Sequence, residues 1–140
     1  MGVFSAVTPL TAIRSTADEP ATLRVLVVDD QLLYAEAISV LLRQQEGMDV
    51  VGIAGDGREA IEQAFALQPD VVLMDIQMPR LDGISATRWI RRRLPATKVL
   101  VMTGLTGDEH VEASLKAGAA ACIKKFSSAG DLLTAIEQLA

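Results

Sequence analysis

Three carboxylates, one hydroxyl and one ammonium group follow short apolar runs of this sequence. Asp29 and Asp30 come directly after RVLVV, Asp75 after VVLM, Thr103 after KVLVM and Lys125 after the last such run. Gathering three carboxylates costs electrostatic energy unless a cation compensates for their charge. Mg²⁺ is the hard cation that suits few carboxylates, retained waters and an incoming phosphate. The set therefore predicts a Mg²⁺-dependent site for phosphoryl chemistry.

Each group has a chemical task in phosphoryl transfer. A carboxylate can accept a phosphoryl group and become an aspartyl phosphate. Lys125 supplies a point charge for phosphate oxygens, and Thr103 can donate a hydrogen bond to one of them. Positioning and charge neutralisation account for most of the catalysis of this reaction, so such a site needs few other groups.

Five apolar runs alternate with amphipathic stretches from Leu23 onward, and they predict strands at Leu23–Val28, Asp49–Ala54, Val71–Met74, Lys98–Met102 and Ala120–Lys124. Nearly continuous apolar strings are typical of parallel strands that are covered on both faces. Five right-handed βα units imply one doubly wound α/β domain with helices on both faces of the sheet. Its ligand site is expected beyond the carboxyl ends of the strands, where the five chemical groups lie.

Polar residues precede four of the amphipathic stretches, which predicts helix N-caps at Asp56, Asp82, Thr106 and Ser128. Residues that stop a helix follow three of the stretches, namely Pro69, Pro95 and Gly118. These signals place one helix after each of the last four predicted strands.

The composition fits one soluble globular domain. The chain has 140 residues, of which half are apolar and under a quarter are charged. Its net charge of −5 argues against a chain that mainly coats nucleic acid. The single cysteine, Cys122, excludes an internal disulfide and favours a reducing, cytoplasmic location. No apolar run approaches the roughly 20 residues of a membrane helix, so no membrane contact is expected.

The first 22 residues differ from the rest, because they are rich in Ala, Thr and Ser and lack the pattern of a signal peptide. We expect residues 1–22 to be a disordered leader and residues 23–140 to be the folded domain.

Four segments resemble, in order and spacing, the receiver domains of two-component response regulators: LRVLVVDD, VVLMDIQMPRLDG, VLVMT and the lysine that ends GAAACIKK. The match extends from Leu23 to Leu139. The stretches DVVLMDIQMPRLDGISATRWI and MTGLTGDEHVEASLKAGA resemble the NarL/FixJ-type subfamily in particular. The resemblance implies a flavodoxin-like, CheY-like (βα)5 fold with a five-stranded parallel sheet in the order 2-1-3-4-5.

The resemblance also implies a role for each acidic residue. Asp75 would be the phospho-acceptor. Asp30 and Asp75 would bind Mg²⁺ directly together with the main-chain carbonyl of Gln77, and Asp29 would act mainly through water.

The same resemblance implies roles for four positions outside the acidic set. Thr103 would move toward the new phosphoryl group, and Lys125 rather than Lys124 matches the family's invariant lysine. Gln77 and Leu105 lie where the family tunes the rate of dephosphorylation.

The implied partners are a histidine kinase or a phosphotransfer protein as phosphoryl donor, and a second copy of the domain after phosphorylation. The domain would not be an enzyme but a regulatory phospho-acceptor that assists its own phosphorylation and slow dephosphorylation. NarL/FixJ-type regulators usually continue into a DNA-binding domain, and we expect none within these 140 residues. We therefore expect the front part of a transcription regulator, with a stand-alone receiver as the alternative.

Two positions depart from the family pattern. Cys122 stands where the family has Tyr or Phe, and Phe126 stands where a proline follows the lysine. These departures leave open a degenerate receiver that acts by protein–protein interaction without phosphorylation. Cys122 itself is expected to be a small buried core residue.

Two other classes of function lack their sequence signals here. A Mg²⁺-dependent phosphohydrolase would need a cap segment and a nucleophile pair after the first strand, and neither is seen. A nucleotide-binding module would need a glycine-rich phosphate loop, and no such motif follows a strand. His110 is expected to be an exposed helix residue. The run Arg91–Arg93 is expected to be a solvated helix end, where the helix dipole favours cations.

Overall fold

Strands and helices alternate throughout the part of the chain that the computed structural model describes, which is residues 22–104 and 108–140. The strands are β1 (Leu23–Val28), β2 (Met48–Ala54), β3 (Val71–Asp75), β4 (Lys98–Thr103) and β5 (Ala121–Lys124). The helices are α1 (Leu32–Arg43), α2 (Gly57–Leu67), α3 (Gly83–Arg93), α4 (Asp108–Ala117) and α5 (Ala129–Leu139). This alternation confirms the predicted α/β architecture.

The strands form one parallel sheet in the order β2-β1-β3-β4-β5, which confirms the predicted order. The strand order reverses between β1 and β3, and this reversal opens a crevice beyond their carboxyl ends. Val28 pairs with Met74, so the residues that follow β1 lie beside the end of β3. On the other side of β3, Asp75 pairs with Met102 of β4. The register thus brings the ends of β1, β3 and β4 together.

Alternate residues of the central strands point to opposite faces of the sheet, and each face has its own apolar core. Leu26 and Val28 of β1 share a cluster with residues of α2 and α3. Val25 and Val27 share the second cluster with residues of α1 and α5. All four of these β1 residues are fully buried, as are most residues of β3 and β4. This rigid sheet fixes the strand ends at which the chemical groups stand.

Three of the four predicted N-caps are confirmed, since Asp56, Asp82 and Ser128 accept hydrogen bonds from the backbone N–H groups of Glu59, Ser85 and Asp131. The fourth, Thr106, lies outside the described residues. Gly118 follows α4 with a φ of 110°, a left-handed conformation that ends the helix as predicted.

The predicted leader, residues 1–22, also falls outside the described residues except for Thr22. The division of the chain into residues 1–22 and 23–140 therefore stays a prediction. Among the described helices, none is both long and apolar enough to cross a membrane.

Candidate functional site

The three predicted carboxylates meet at the carboxyl ends of β1 and β3. One oxygen of each of Asp29, Asp30 and Asp75 lies within 4.8 Å of the others. Asp29 and Asp75 are buried, whereas Asp30 is exposed. The backbone N–H of Gln31 donates to Oδ1 of Asp29 at 2.8 Å, and this bond orients the buried carboxylate. The sequence prediction that these acids cluster is confirmed.

Lys125 extends its ammonium group into the acidic cluster. Its Nζ lies 2.9 Å from Oδ2 of Asp29 and 3.4 Å from Oδ2 of Asp75. It also donates to Oε1 of Gln31 at 2.8 Å and to Oδ1 of Asp29 at 3.1 Å. Oδ2 of Asp29 is in ion-pair contact, but no donor among the described residues is aligned with it for a hydrogen bond. One carboxylate oxygen thus keeps capacity for a further partner.

The position of Lys125 follows from the backbone. Its N–H donates to the carbonyl of Thr103 at 2.7 Å, which extends the pairing of β4 and β5 by one residue. Lys124 is exposed on the edge strand, whereas Lys125, which the family resemblance selects, reaches the acidic cluster.

The electrostatics of the cluster favour a cation. The pKa of Asp75 is raised to about 6, chiefly by burial and then by the neighbouring charge of Asp29, while Lys125 opposes both effects. Burial alone would lower the pKa of Lys125, but the hydrogen bond from Lys125 to Asp29 and the charge of Asp75 outweigh it, so that this pKa is raised. One ammonium group therefore balances three carboxylates only in part.

The ligand atoms of this cluster fit Mg²⁺. They are carboxylate oxygens without a soft ligand among them, and one of the oxygens is buried without an aligned hydrogen-bond donor. Asp29, Asp30 and Asp75 are the residues that could hold the ion.

Thr103 and Gln77 flank the cluster in different ways. Thr103 is the last residue of β4 and is buried, and its hydroxyl donates a long 3.5 Å hydrogen bond to the carbonyl of Ile123. Gln77 is exposed in the loop between β3 and α3 and faces the same cavity as Asp75. Gly83 closes that loop, because its N–H donates to the carbonyl of Ile76 at 2.8 Å. A side chain at Gly83 would overlap the carbonyl oxygen of Asp75.

A cavity of about 270 Å³ opens in front of the cluster and is lined by Asp30, Gln31, Asp75, Ile76, Gln77, Gly104, His110 and Lys125. Two of these residues were missed or misjudged from the sequence. Gln31 was missed, although its position directly after the aspartate pair could have predicted that it lines the site. The prediction that His110 is exposed is wrong, because the start of α4 turns it toward the cavity and leaves it half-buried. Leu105 lies outside the described residues.

Cys122 also differs from expectation, because it is half-buried rather than buried. It lies on β5, an edge strand with a neighbour on one side only, and this limits its burial. Burial still raises the pKa of its thiol, and a hydrogen bond with Ser114 opposes the effect.

Comparison with known proteins identifies the family. Residues 25–137 match the family model of the response regulator receiver domain. The chain belongs to the response regulator receiver domains. Response regulator protein VraR of Staphylococcus aureus is 40% identical to it over 117 residues, which are 84% of this chain and 56% of VraR. This receiver domain thus spans about half the length of the curated relatives it matches.

Solved structures agree with this assignment. The signal receiver domain of NarL from Mycobacterium tuberculosis superposes with a TM-score of 0.81 at 33% identity and covers 85% of this receiver domain and 96% of that chain. A CheX–CheY–BeF3–Mg²⁺ complex from Borrelia burgdorferi gives a TM-score of 0.81 at 26% identity. The superposition covers 88% of this receiver domain and 92% of that chain. The similarity to VraR and NarL confirms a CheY-like receiver domain of the NarL/FixJ type, which is a signalling domain.

Proposed function

We propose that this receiver domain is a switch that takes a phosphoryl group on Asp75 with Mg²⁺ bound beside it. The observation that carries the proposal is the meeting of Asp29, Asp30 and Asp75 with Lys125 at the mouth of one cavity. The complete acidic set favours this function over a receiver that works without phosphorylation.

Asp75 has the geometry of the acceptor. It ends β3 on a fully buried strand, its Oδ2 is paired with Lys125, and its side chain lines the cavity from which a donor would approach. A carboxylate oxygen of Asp75 attacks the phosphorus of the donor, the bond from phosphorus to the leaving group breaks, and an aspartyl phosphate forms.

The neighbouring side chains respond to the new charge. Lys125 is already inside the cluster and needs only a short movement to pair with a phosphoryl oxygen. The hydroxyl of Thr103 holds its present partner at 3.5 Å, a weak bond that it can exchange for a phosphoryl oxygen. That exchange would alter the packing between β4 and β5 and so carry the signal to the surface.

Asp30, Asp75 and the carbonyl of Gln77 would hold the Mg²⁺ ion, with Asp29 acting through water. When bound, the ion neutralises negative charge on the acidic cluster and on the phosphate oxygens. The related CheY was crystallised in a complex that contains BeF3 and Mg²⁺, which supports this choice of cation.

The phosphoryl donor would be a histidine kinase or a phosphotransfer protein. The domain would act in the cytoplasm, because its single free cysteine suits a reducing compartment. The domain would act on itself rather than on a small-molecule substrate, assisting its own phosphorylation and slow dephosphorylation. Phosphorylation would promote a homodimer, and DNA would be bound only through a domain outside this chain.

Intact-mass spectrometry with acetyl phosphate tests the proposal. We expect the wild type to gain one phosphoryl group when Mg²⁺ is present and none when the metal is chelated. Asp75→Asn should gain none, whereas Asp49→Asn, an exposed aspartate at the opposite end of the sheet, should behave as the wild type. Absence of the gain in folded wild type would favour the receiver that acts without phosphorylation.

A further inference from the structure

The residue after Lys125 has an unusual conformation for its type. Phe126 has a φ of 66°, in the left-handed region that residues with a Cβ rarely occupy, and its side chain is 70% exposed. An exposed aromatic residue in a disfavoured conformation needs contacts that hold it there. The structure shows which contacts these are.

Tyr34 of α1 holds Phe126 in two ways. The backbone N–H of Phe126 donates to the hydroxyl of Tyr34 at 3.0 Å. The two rings meet edge to face, with centroids 4.7 Å apart and an interplanar angle of 62°. A proline at position 126 could not donate this hydrogen bond, so the contact depends on the residue in which this chain departs from the family pattern.

The ammonium group of Lys125 lies between these rings and the acidic cluster. Its Nζ is 5.1 Å from the ring centroid of Tyr34 and 5.7 Å from that of Phe126, within the range of a cation–π attraction. Asp29 and Asp75 contact the same Nζ through their carboxylates. The ammonium group therefore has aromatic faces and carboxylate oxygens around it.

We propose that Tyr34 and Phe126 form an aromatic clamp that positions Lys125 for phosphoryl transfer. A lysine has four rotatable side-chain bonds, and Lys125 stands in the loop that follows an edge strand. The clamp restricts that side chain so that its charge is in place when the donor arrives. Tyr34 and Phe126 are positioning residues, and the inference rests on the proposed phosphorylation of Asp75.

The clamp predicts graded effects on the rate of phosphorylation by acetyl phosphate. Tyr34→Phe keeps the ring and loses the hydrogen bond, so we expect a rate about threefold lower. Tyr34→Leu loses the aromatic contact as well, whereas Phe126→Ala loses the aromatic contact and keeps its backbone N–H; both should be about tenfold slower. Phe126→Tyr keeps an aromatic ring at this position and should have the wild-type rate. Leu33→Ala, at an 83% exposed neighbour on the same helix, is the matched control and should not change it.

A double-mutant cycle separates positioning from a general loss of structure. If Tyr34 acts through Lys125, then Tyr34→Leu should slow the wild type but not the Lys125→Ala variant, whose residual phosphorylation is followed over hours. An equal fractional loss in both backgrounds would overturn the proposal, as would a wild-type rate for Tyr34→Leu. Thermal unfolding of each variant confirms that it is folded.

Nuclear magnetic resonance of the Lys125 side chain tests the clamp without phosphorylation. We expect the Lys125 side chain to be more ordered than that of Lys124 in the wild type and to lose this order in Tyr34→Leu. Equal order in the two proteins would contradict the clamp. If the wild type is not phosphorylated but Lys125 is ordered by Tyr34, then the proposed function fails and the clamp stands.

Discussion

The ammonium nitrogen of Lys125 lies 2.9 Å from a carboxylate oxygen of Asp29, and the two side chains are 11% and 0% exposed. Asp29 is thus a buried charge whose ion-pair partner comes from the far edge of the sheet. Breaking a buried pair by removing one partner leaves an uncompensated charge, which is strongly destabilising. The acidic cluster therefore depends on Lys125 for stability as well as for chemistry.

Replacement of this lysine should measure that dependence. We expect Lys125→Ala to lower the free energy of unfolding by about 3 kcal/mol in metal-free buffer, because Asp29 and Asp75 lose their compensating charge. Added Mg²⁺ should recover part of the loss by binding the same carboxylates. Urea denaturation with and without Mg²⁺ checks both statements. Lys124→Ala removes an exposed lysine and is the control, so equal losses in the two variants would refute the argument.

The pKa of Asp75 links stability to pH. Because the native pKa is raised to about 6 from 3.8, the native state binds more protons than the unfolded state between these values. Stability from this group is therefore present below about pH 4 and is lost as the pH rises through 6. Asp75→Asn removes the effect, so its stability relative to wild type should increase by about 2 kcal/mol between pH 4 and pH 7.

Urea denaturation in the presence of a chelator measures this difference at each pH. Asp49→Asn, at an exposed position away from the cluster, should show no such trend. A constant difference between Asp75→Asn and wild type across the pH range would mean that Asp75 ionises normally in the native state.

Arg91 holds the end of α3 to the loop before β4 and to the residue that follows α4. Its guanidinium donates to the carbonyls of Gly118, Pro95 and Thr97 at 3.0, 2.7 and 2.6 Å. Hydrogen bonds from a charged donor contribute more than neutral ones, so Arg91→Ala should lower the free energy of unfolding by about 2 kcal/mol. Arg92→Ala, at the exposed next residue, should change it by less than about 0.5 kcal/mol. Similar values for the two variants would contradict this role.

Gly83 allows the loop after Asp75 to close against the strand end. A Cβ at this position would overlap the carbonyl oxygen of Asp75, and the hydrogen bond of Gly83 to Ile76 leaves little room for a shift. We expect Gly83→Ala to cost about 3 kcal/mol in thermal or urea unfolding and to weaken Mg²⁺ binding. Gly130→Ala in α5, where a Cβ meets nothing within 4 Å, should be neutral or slightly stabilising. A neutral Gly83→Ala would show that the loop is pliable.

The sheet and the acidic cluster were predictable because the sequence pattern is strong there. Continuous apolar runs identify parallel strands, and a parallel sheet places all carboxyl ends at one edge. The strand order that makes Asp29, Asp30, Asp75 and Lys125 neighbours was implied by the family resemblance. Two strand ends differ from the prediction by one residue, because the structure places Asp75 and Thr103 as the last residues of their strands rather than after them.

Side-chain direction was not predictable in the same way. Successive residues of a helix point about 100° apart, so the run Arg91–Arg93 contains one arginine that binds carbonyls and two that are exposed, of which Arg93 lies over the ring of Trp89. The interpretation of the whole run as solvated is therefore wrong for Arg91. His110 and Cys122 were misjudged for a related reason, because their burial depends on how a helix start and an edge strand meet their neighbours.

Borohydride trapping of the phosphorylated protein tests the central claim most directly, since it converts an aspartyl phosphate into homoserine at the residue that carried it. Cleavage at arginine yields a peptide of residues 59–80, which contains both Asp70 and Asp75 and so includes its own control. After incubation with acetyl phosphate and Mg²⁺, the proposed function predicts homoserine at position 75, aspartate at position 70, and no conversion when Mg²⁺ is chelated. Homoserine at another aspartate, or conversion that does not depend on the metal, would contradict it.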